Sequence, residues 1–125
     1  MRPLVHPAIE DVTVAAILHA LGDPARVAIY AGIISSGSAQ CCNAFAQMSE
    51  KTIPKSTLSE HFKVLREAGL IRSERSGVEM RNTSRCAEVE ARFPGLITAI
   101  MSAHKKQLDD QARAASAARR RLKRV

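Results

Sequence analysis

A mainly helical domain with one small β-hairpin is the fold this sequence predicts, and three observations carry it. Aromatic residues are only 3% of the 125 residues and Trp is absent, so the core must come from Leu, Ile, Val and Ala, which suits packed helices better than a β-sandwich. Apolar residues recur at helical spacing in several stretches punctuated by Gly, Pro and Ser. Over residues 70–83 the pattern changes to a short charged run with Ser76 and Gly77 at its middle, which reads as a hairpin.

Each element has its own signal. Ile9, Val12, Ala16 and Ala20, with Ile17 and Leu21 beside them, predict a first helix over about residues 7–21, closed by Gly22. Asp23 and Pro24 open the next, with Asp as N-cap and Pro at the first helical position. This helix spans residues 24–34 and is expected to bury Val27, Tyr30 and Ile34, with Ile29 and Ile33 partly covered. Residues 35–38 form a loop, 40–48 a short helix and 49–53 a turn. A further helix opens at Pro54 or Lys55 and ends at Gly69, where a C′ glycine belongs, burying Leu58, Phe62 and Leu65 with Val64 alongside. In the hairpin, a two-residue turn at Ser76 and Gly77 would set Glu74 against Glu79, so a three-residue turn is expected. Pro94 starts a long last helix whose apolar stripe, passing through Ile97, Met101, His104, Leu108, Ala112 and Ala115, needs a cover: the first helix or a second subunit.

Length and composition fit one domain with a modest core, and 46% apolar residues exclude a disordered chain. The formal charge is +7, which favours a polyanion or an acidic surface as partner. Residues 113–125 hold six basic and no acidic side chains, so they are set apart as a basic C-terminal tail behind a domain of residues 1–112. No apolar run is long enough to span a membrane, and the first ten residues lack a signal-peptide core. With three cysteines and no export signal, the expectation is reduced thiols in the cytoplasm.

Two helices joined by a turn, then a glycine, then a charged hairpin form the order of a winged helix-turn-helix. A helix fits the major groove, and small polar side chains at its start let the backbone approach closely. Lys55, Ser56, Thr57, Ser59, Glu60, His61 and Lys63 are therefore the candidate DNA contacts on the helix. Arg75 and Arg81, with Arg72, are the hairpin's candidates for the neighbouring backbone or minor groove. Glu60 can accept from a cytosine amine or orient Lys63 on its own helix.

The stretches LHALGDPARV at 18–27 and STLSEHFKVLREAGLI at 56–71 resemble the ArsR/SmtB family of bacterial repressors. The first resembles the family's leucine-x-aspartate-proline-x-arginine segment, the second its recognition helix running into the wing. The resemblance covers roughly residues 10–100. It implies a dimer held through the first and last helices, binding a double-stranded operator and released by an effector. It does not extend to the family's metal sites. Cys41 aligns with the first cysteine of the thiol site, but Asn43 stands at the second. On the last helix, His104, Asp109 and Asp110 do not match the spacing of the other site. No metal and no cofactor is therefore expected.

The adjacent Cys41 and Cys42 are read first as a buried small hydrophobe and its neighbour, with thiol or redox sensing as the sharper alternative. The four histidines are scattered and give no zinc spacing. There is no phosphate loop, nucleophile elbow or convergent acid–base set, so no enzyme is predicted. The competing reading is a winged-helix protein-interaction module. It would present apolar or acidic residues where this chain has mainly Lys, Ser, Thr and His.

Overall fold

The computed structural model describes residues 4–36, 40–41 and 53–124, the middle pair by backbone alone. It comprises α1 (Val14–Leu21), α2 (Pro24–Ser36), β1 (Gln40–Cys41), α3 (Lys55–Glu67), β2 (Ile71–Ser76), β3 (Glu79–Ser84), α4 (Cys86–Arg92) and α5 (Leu96–Lys123). Two compact units result, Met1–Pro94 and Gly95–Val125.

In the first unit, α1 begins later than its apolar spacing suggests. Ile9–Asp11 is a single 3-10 turn, and Thr13 caps α1, its hydroxyl accepting from Ala16 N–H at 3.1 Å. Ile9 and Val12 thus lie on an irregular segment, and Val12 is buried beside Gly69. The segment is tied down by arginines. Arg85 donates to Pro7 O at 2.8 Å, and Arg92 donates to the carbonyls of Ile9 and Val12.

The junction of α1 and α2 is a reciprocal cap. Asp23 Oδ1 accepts from Ala25 N–H at 2.8 Å and Arg26 N–H at 3.3 Å, satisfying orphan donors of α2. Arg26 reaches back to the last carbonyls of α1, Ala20 O at 2.8 Å and His19 O at 3.2 Å. Arg26 therefore holds a place on the inner face of α2, and that face continues through Ile29, Tyr30 and Ile33, which are buried. The expected face through Val27 and Ile34 has the right period with its phase one residue off; both are half-buried.

The expected helix over residues 40–48 is corrected at its start, where Gln40 and Cys41 are extended and pair with Asn82 and Arg81 of β3. The rest of that helix lies outside the described residues. The sheet is thus three-stranded and antiparallel, in the order β1-β3-β2.

α3 ends in a Schellman motif, with Gly69 N–H on Arg66 O and Leu70 N–H on Leu65 O, both at 3.1 Å. Gly69 has φ 85°, and a Cβ there would stand 2.3 Å from Val12 Cγ2. The chain turns directly into β2. The β2–β3 hairpin has a two-residue turn in place of the expected three-residue one, but at Gly77 and Val78, one residue beyond the position that would oppose two glutamates. Gly77 at φ 62° supplies the positive angle at the first turn position. The shift sets Glu74 opposite Arg81, a favourable pair.

Leu58, Phe62 and Leu65 of α3 join Ile17, Ala20 and Leu21 of α1, the α2 face, and Leu70, Ile71 and Val89 as buried side chains of this unit. The second unit, taken by itself, is the 28-residue helix α5, which passes residue 112 without a break.

Candidate nucleic-acid interface

The order of charges along α3 follows from its period of about 3.6 residues. With Leu58, Phe62 and Leu65 buried, the outermost line runs through Ser56, Glu60 and Lys63, all exposed. Lys55, Ser59, Lys63 and Arg66 occupy the flank toward the hairpin and, with Arg75, border one cleft. Thr57 and His61 occupy the opposite flank. His61 is half-buried there, its Nδ1 is sealed without a hydrogen-bond partner, and its charge reaches Asp23 at the start of α2.

Alternation sorts the hairpin in the same way. Ile71, Ser73, Arg75, Met80 and Asn82 share one face, with Arg75 directly across from Met80. Arg81 is on the other face, with Glu74 across from it on β2 and Cys41 on β1. The structure therefore brings Lys55, Ser59, Lys63 and Arg75 together, and leaves Arg81 on the far side of the wing. Arg72 is engaged with Glu88 of α4 at 3.8 Å. Val78, at the tip, is fully exposed.

Beneath the wing is a polar relay that no sequence pattern announced. Ser73 N–H donates to His6 Nε2 at 3.0 Å, and Ser73 Oγ donates to Asn82 Oδ1 at 2.6 Å, with Ser73 and Asn82 both buried. His6 must be neutral at Nε2 to accept. Burial, then the charges of Arg72, Arg66 and Arg85, hold its pKa below the usual histidine value against the opposing pull of Glu74. Arg85, also buried, meets Glu88 at 2.9 Å and fastens α4 to the N-terminal segment. These partners are 67–83 residues apart in sequence, beyond the reach of any local motif.

Among the described residues, no three His, Cys, Asp or Glu side chains converge as a metal site. Cys42 lies outside them.

Residues 13–74 match the family model described as a helix-turn-helix domain. An ArsR-like transcriptional regulator from Rhodococcus sp. RHA1 superposes with a TM-score of 0.50 at 19% identity, covering 86% of this chain and 90% of that one. The chain is a winged helix-turn-helix protein with the fold of the ArsR-like regulators. A second structure of that group, an ArsR family transcriptional regulator called RHA00566, aligns with a TM-score of 0.54 at 20% identity over 77% of this chain and 96% of its own. The M. tuberculosis protein Rv0081 gives 0.56 at 21% identity over 78% and 91%. No curated protein matches the sequence. In the ArsR-like fold, α3 and the β2–β3 hairpin are the recognition helix and the wing.

Proposed function

We propose that the protein is a DNA-binding transcriptional regulator, a repressor released from its operator by an effector, working in the cytoplasm as a homodimer. The observation that carries this is the exposed face of α3: Lys55, Ser56, Ser59 and Lys63 form a polar, cationic surface with Arg75 of the wing beside it. A protein-interaction module would need apolar or acidic side chains there, and Glu60 alone answers that description on the outer line. In a DNA complex, Ser56 and Ser59 lie closest to base edges, while Lys55, Lys63 and Arg75 neutralise phosphates. His61 offers at most its Nε2 edge, and Arg81 can reach only DNA that passes the far side of the wing.

The second copy is called for by two uncovered apolar stripes, each considered alone. On α1, Val14 and Leu18 are exposed four residues apart. On α5, Leu108 is 49% and Leu122 75% exposed, on a line that Ile97, Met101, His104 and Ala115 share at alternating spacings of four and three. The working domain is residues 1–112, with 113–125 as a cationic extension of α5.

Fluorescence anisotropy on DNA upstream of its own gene, against a scrambled duplex, tests the reading. Selective binding supports it; equal affinity for both duplexes, followed by an empty random-sequence selection, refutes it.

One observation favours a thiol-responsive version of this regulator: the strand that carries Cys41 pairs with the wing at Arg81. Modification at Cys41 would then be felt at the wing. Mild oxidation should release DNA from the wild-type protein and spare Cys41→Ser; equal loss in both contradicts it.

A further inference from the structure

The cleft between α3 and the wing has a volume of about 350 Å3, within the roughly 300–1,000 Å3 range of small-molecule sites. Its walls are of two chemical kinds. Lys55, Lys63, Arg66 and Arg75 make one side strongly cationic, with Glu79 as the single carboxylate of the lining. Phe62, Met80, Val78 and Leu4 make the other side apolar. Leu4 is carried there by the N-terminal segment that His6 holds to Ser73 at 3.0 Å.

DNA backbone accounts for only half of this. A phosphodiester would meet the cations but has no apolar body to cover Met80 and Leu4. A neutral hydrophobe would cover those side chains and leave four cations unanswered. A duplex lying along α3 needs Lys55, Ser59, Lys63 and Arg75 for itself, so nothing else can use the cleft while DNA is bound.

We infer that the cleft between α3 and the wing is the effector site, binding a small amphipathic anion, a carboxylate on a medium-chain or arylalkyl body, in direct competition with the operator. The carboxylate takes charge-assisted hydrogen bonds from Lys63 and Arg75, and the apolar body lies over Phe62 and Met80. Release of DNA then needs no distant conformational change: the ligand occupies the cations that the phosphates would use. The competitive half of this inference rests on the DNA-binding reading; the site itself does not.

Isothermal titration of the full-length protein with octanoate, and with octanol as its uncharged counterpart, tests the site. Saturable octanoate binding is expected, with octanol at least about tenfold weaker. Lys63→Gln combined with Arg75→Gln should lower octanoate affinity about tenfold. Met80→Glu, which places a carboxylate in the cleft, should abolish binding, and Met80→Leu should keep it. Thermal melting confirms that each variant is folded; both substituted cations are exposed, so the double variant keeps the test decisive if Met80→Glu unfolds. Absence of saturable binding, parity of octanol with octanoate, or unchanged affinity in the folded double variant overturns the site. In a parallel anisotropy experiment octanoate should displace selectively bound DNA. Binding without displacement overturns the competitive role. Octanoate binding by a protein that selects no DNA would retain the site and refute the DNA-binding reading.

Discussion

Gly69 joins three requirements in one residue. It closes the Schellman motif of α3, holds φ at 85°, and leaves room for Val12. Gly69→Ala must strain the backbone and push a methyl group to 2.3 Å from Val12 Cγ2. We expect a loss of about 2–4 kcal/mol in urea unfolding; a loss below about 1 kcal/mol would show that Val12 moves aside freely. Asp23 makes a different kind of contribution. Burial raises its carboxyl pKa, but the N–H groups of Arg26 and Ala25, then the charges of Arg26 and His61, outweigh this and hold it below the usual value of 3.8. Its stabilisation is therefore complete above pH 3.8 and is lost as pH falls through the lowered value. Asp23→Ala should cost about 1 kcal/mol at neutral pH and less in acid, a difference that unfolding at the two pH values reads directly.

His6 follows the same sign. Its folded pKa lies below 6.5, so the unfolded chain takes the proton first and stability falls as pH drops from 6.5 through the folded value. Acidification should speed hydrogen exchange at the Ser73 amide ahead of the core amides of α3, and His6→Phe should remove that pH dependence. Exchange that rises uniformly across both elements would contradict the local latch.

At the scale of elements, the wing depends on the Ser73–Asn82 pair. Both are buried and directly opposite in register, so Asn82→Ala leaves the Ser73 hydroxyl without that acceptor. A cost of about 1–3 kcal/mol is expected, with faster hydrogen exchange confined to β2 and β3. α3 was legible in the sequence because its apolar residues keep strict spacing, and Gly69 marks its end. The start of α1 was not: Ile9 and Val12 continue its spacing but are buried on an irregular segment, and the better signal was Thr13 as an N-cap. The phase of α2 was missed because Arg26, a charged residue, lies on the inner face to cap its neighbour. β1 was missed because a two-residue strand is defined by its partner, Asn82–Arg81, and not by its own composition. The relay of His6, Ser73 and Asn82 was invisible for the same reason, since its members meet only after folding. Of the candidate DNA contacts, helical and strand periodicity allowed all to be named, but only the third dimension separates Arg75 on the α3 side from Arg81 beyond it and turns His61 toward α2.

At the scale of the molecule, charge and symmetry set the behaviour. A dimer that presents Lys55, Lys63 and Arg75 twice should lose affinity steeply with salt, because each neutralised phosphate releases counterions. A flat response would argue against phosphate contacts. The stripe on α5 should hold the copies together: Leu108→Glu should shift sedimentation toward the monomer, and an unchanged dimer would place the interface elsewhere. Among the described residues no single helix is long and apolar enough to cross a membrane.

The central claim is that the outer face of α3 reads DNA, and Ser56→Glu tests it most directly. Ser56 is exposed on the first turn of α3, so a carboxylate there leaves the core untouched and confronts the duplex with a negative charge. Anisotropy on a duplex chosen by random-sequence selection should show at least about a tenfold loss of affinity, the effect of roughly 1.4 kcal/mol, with melting temperature and dimer unchanged. Full affinity in a folded Ser56→Glu protein would contradict the account.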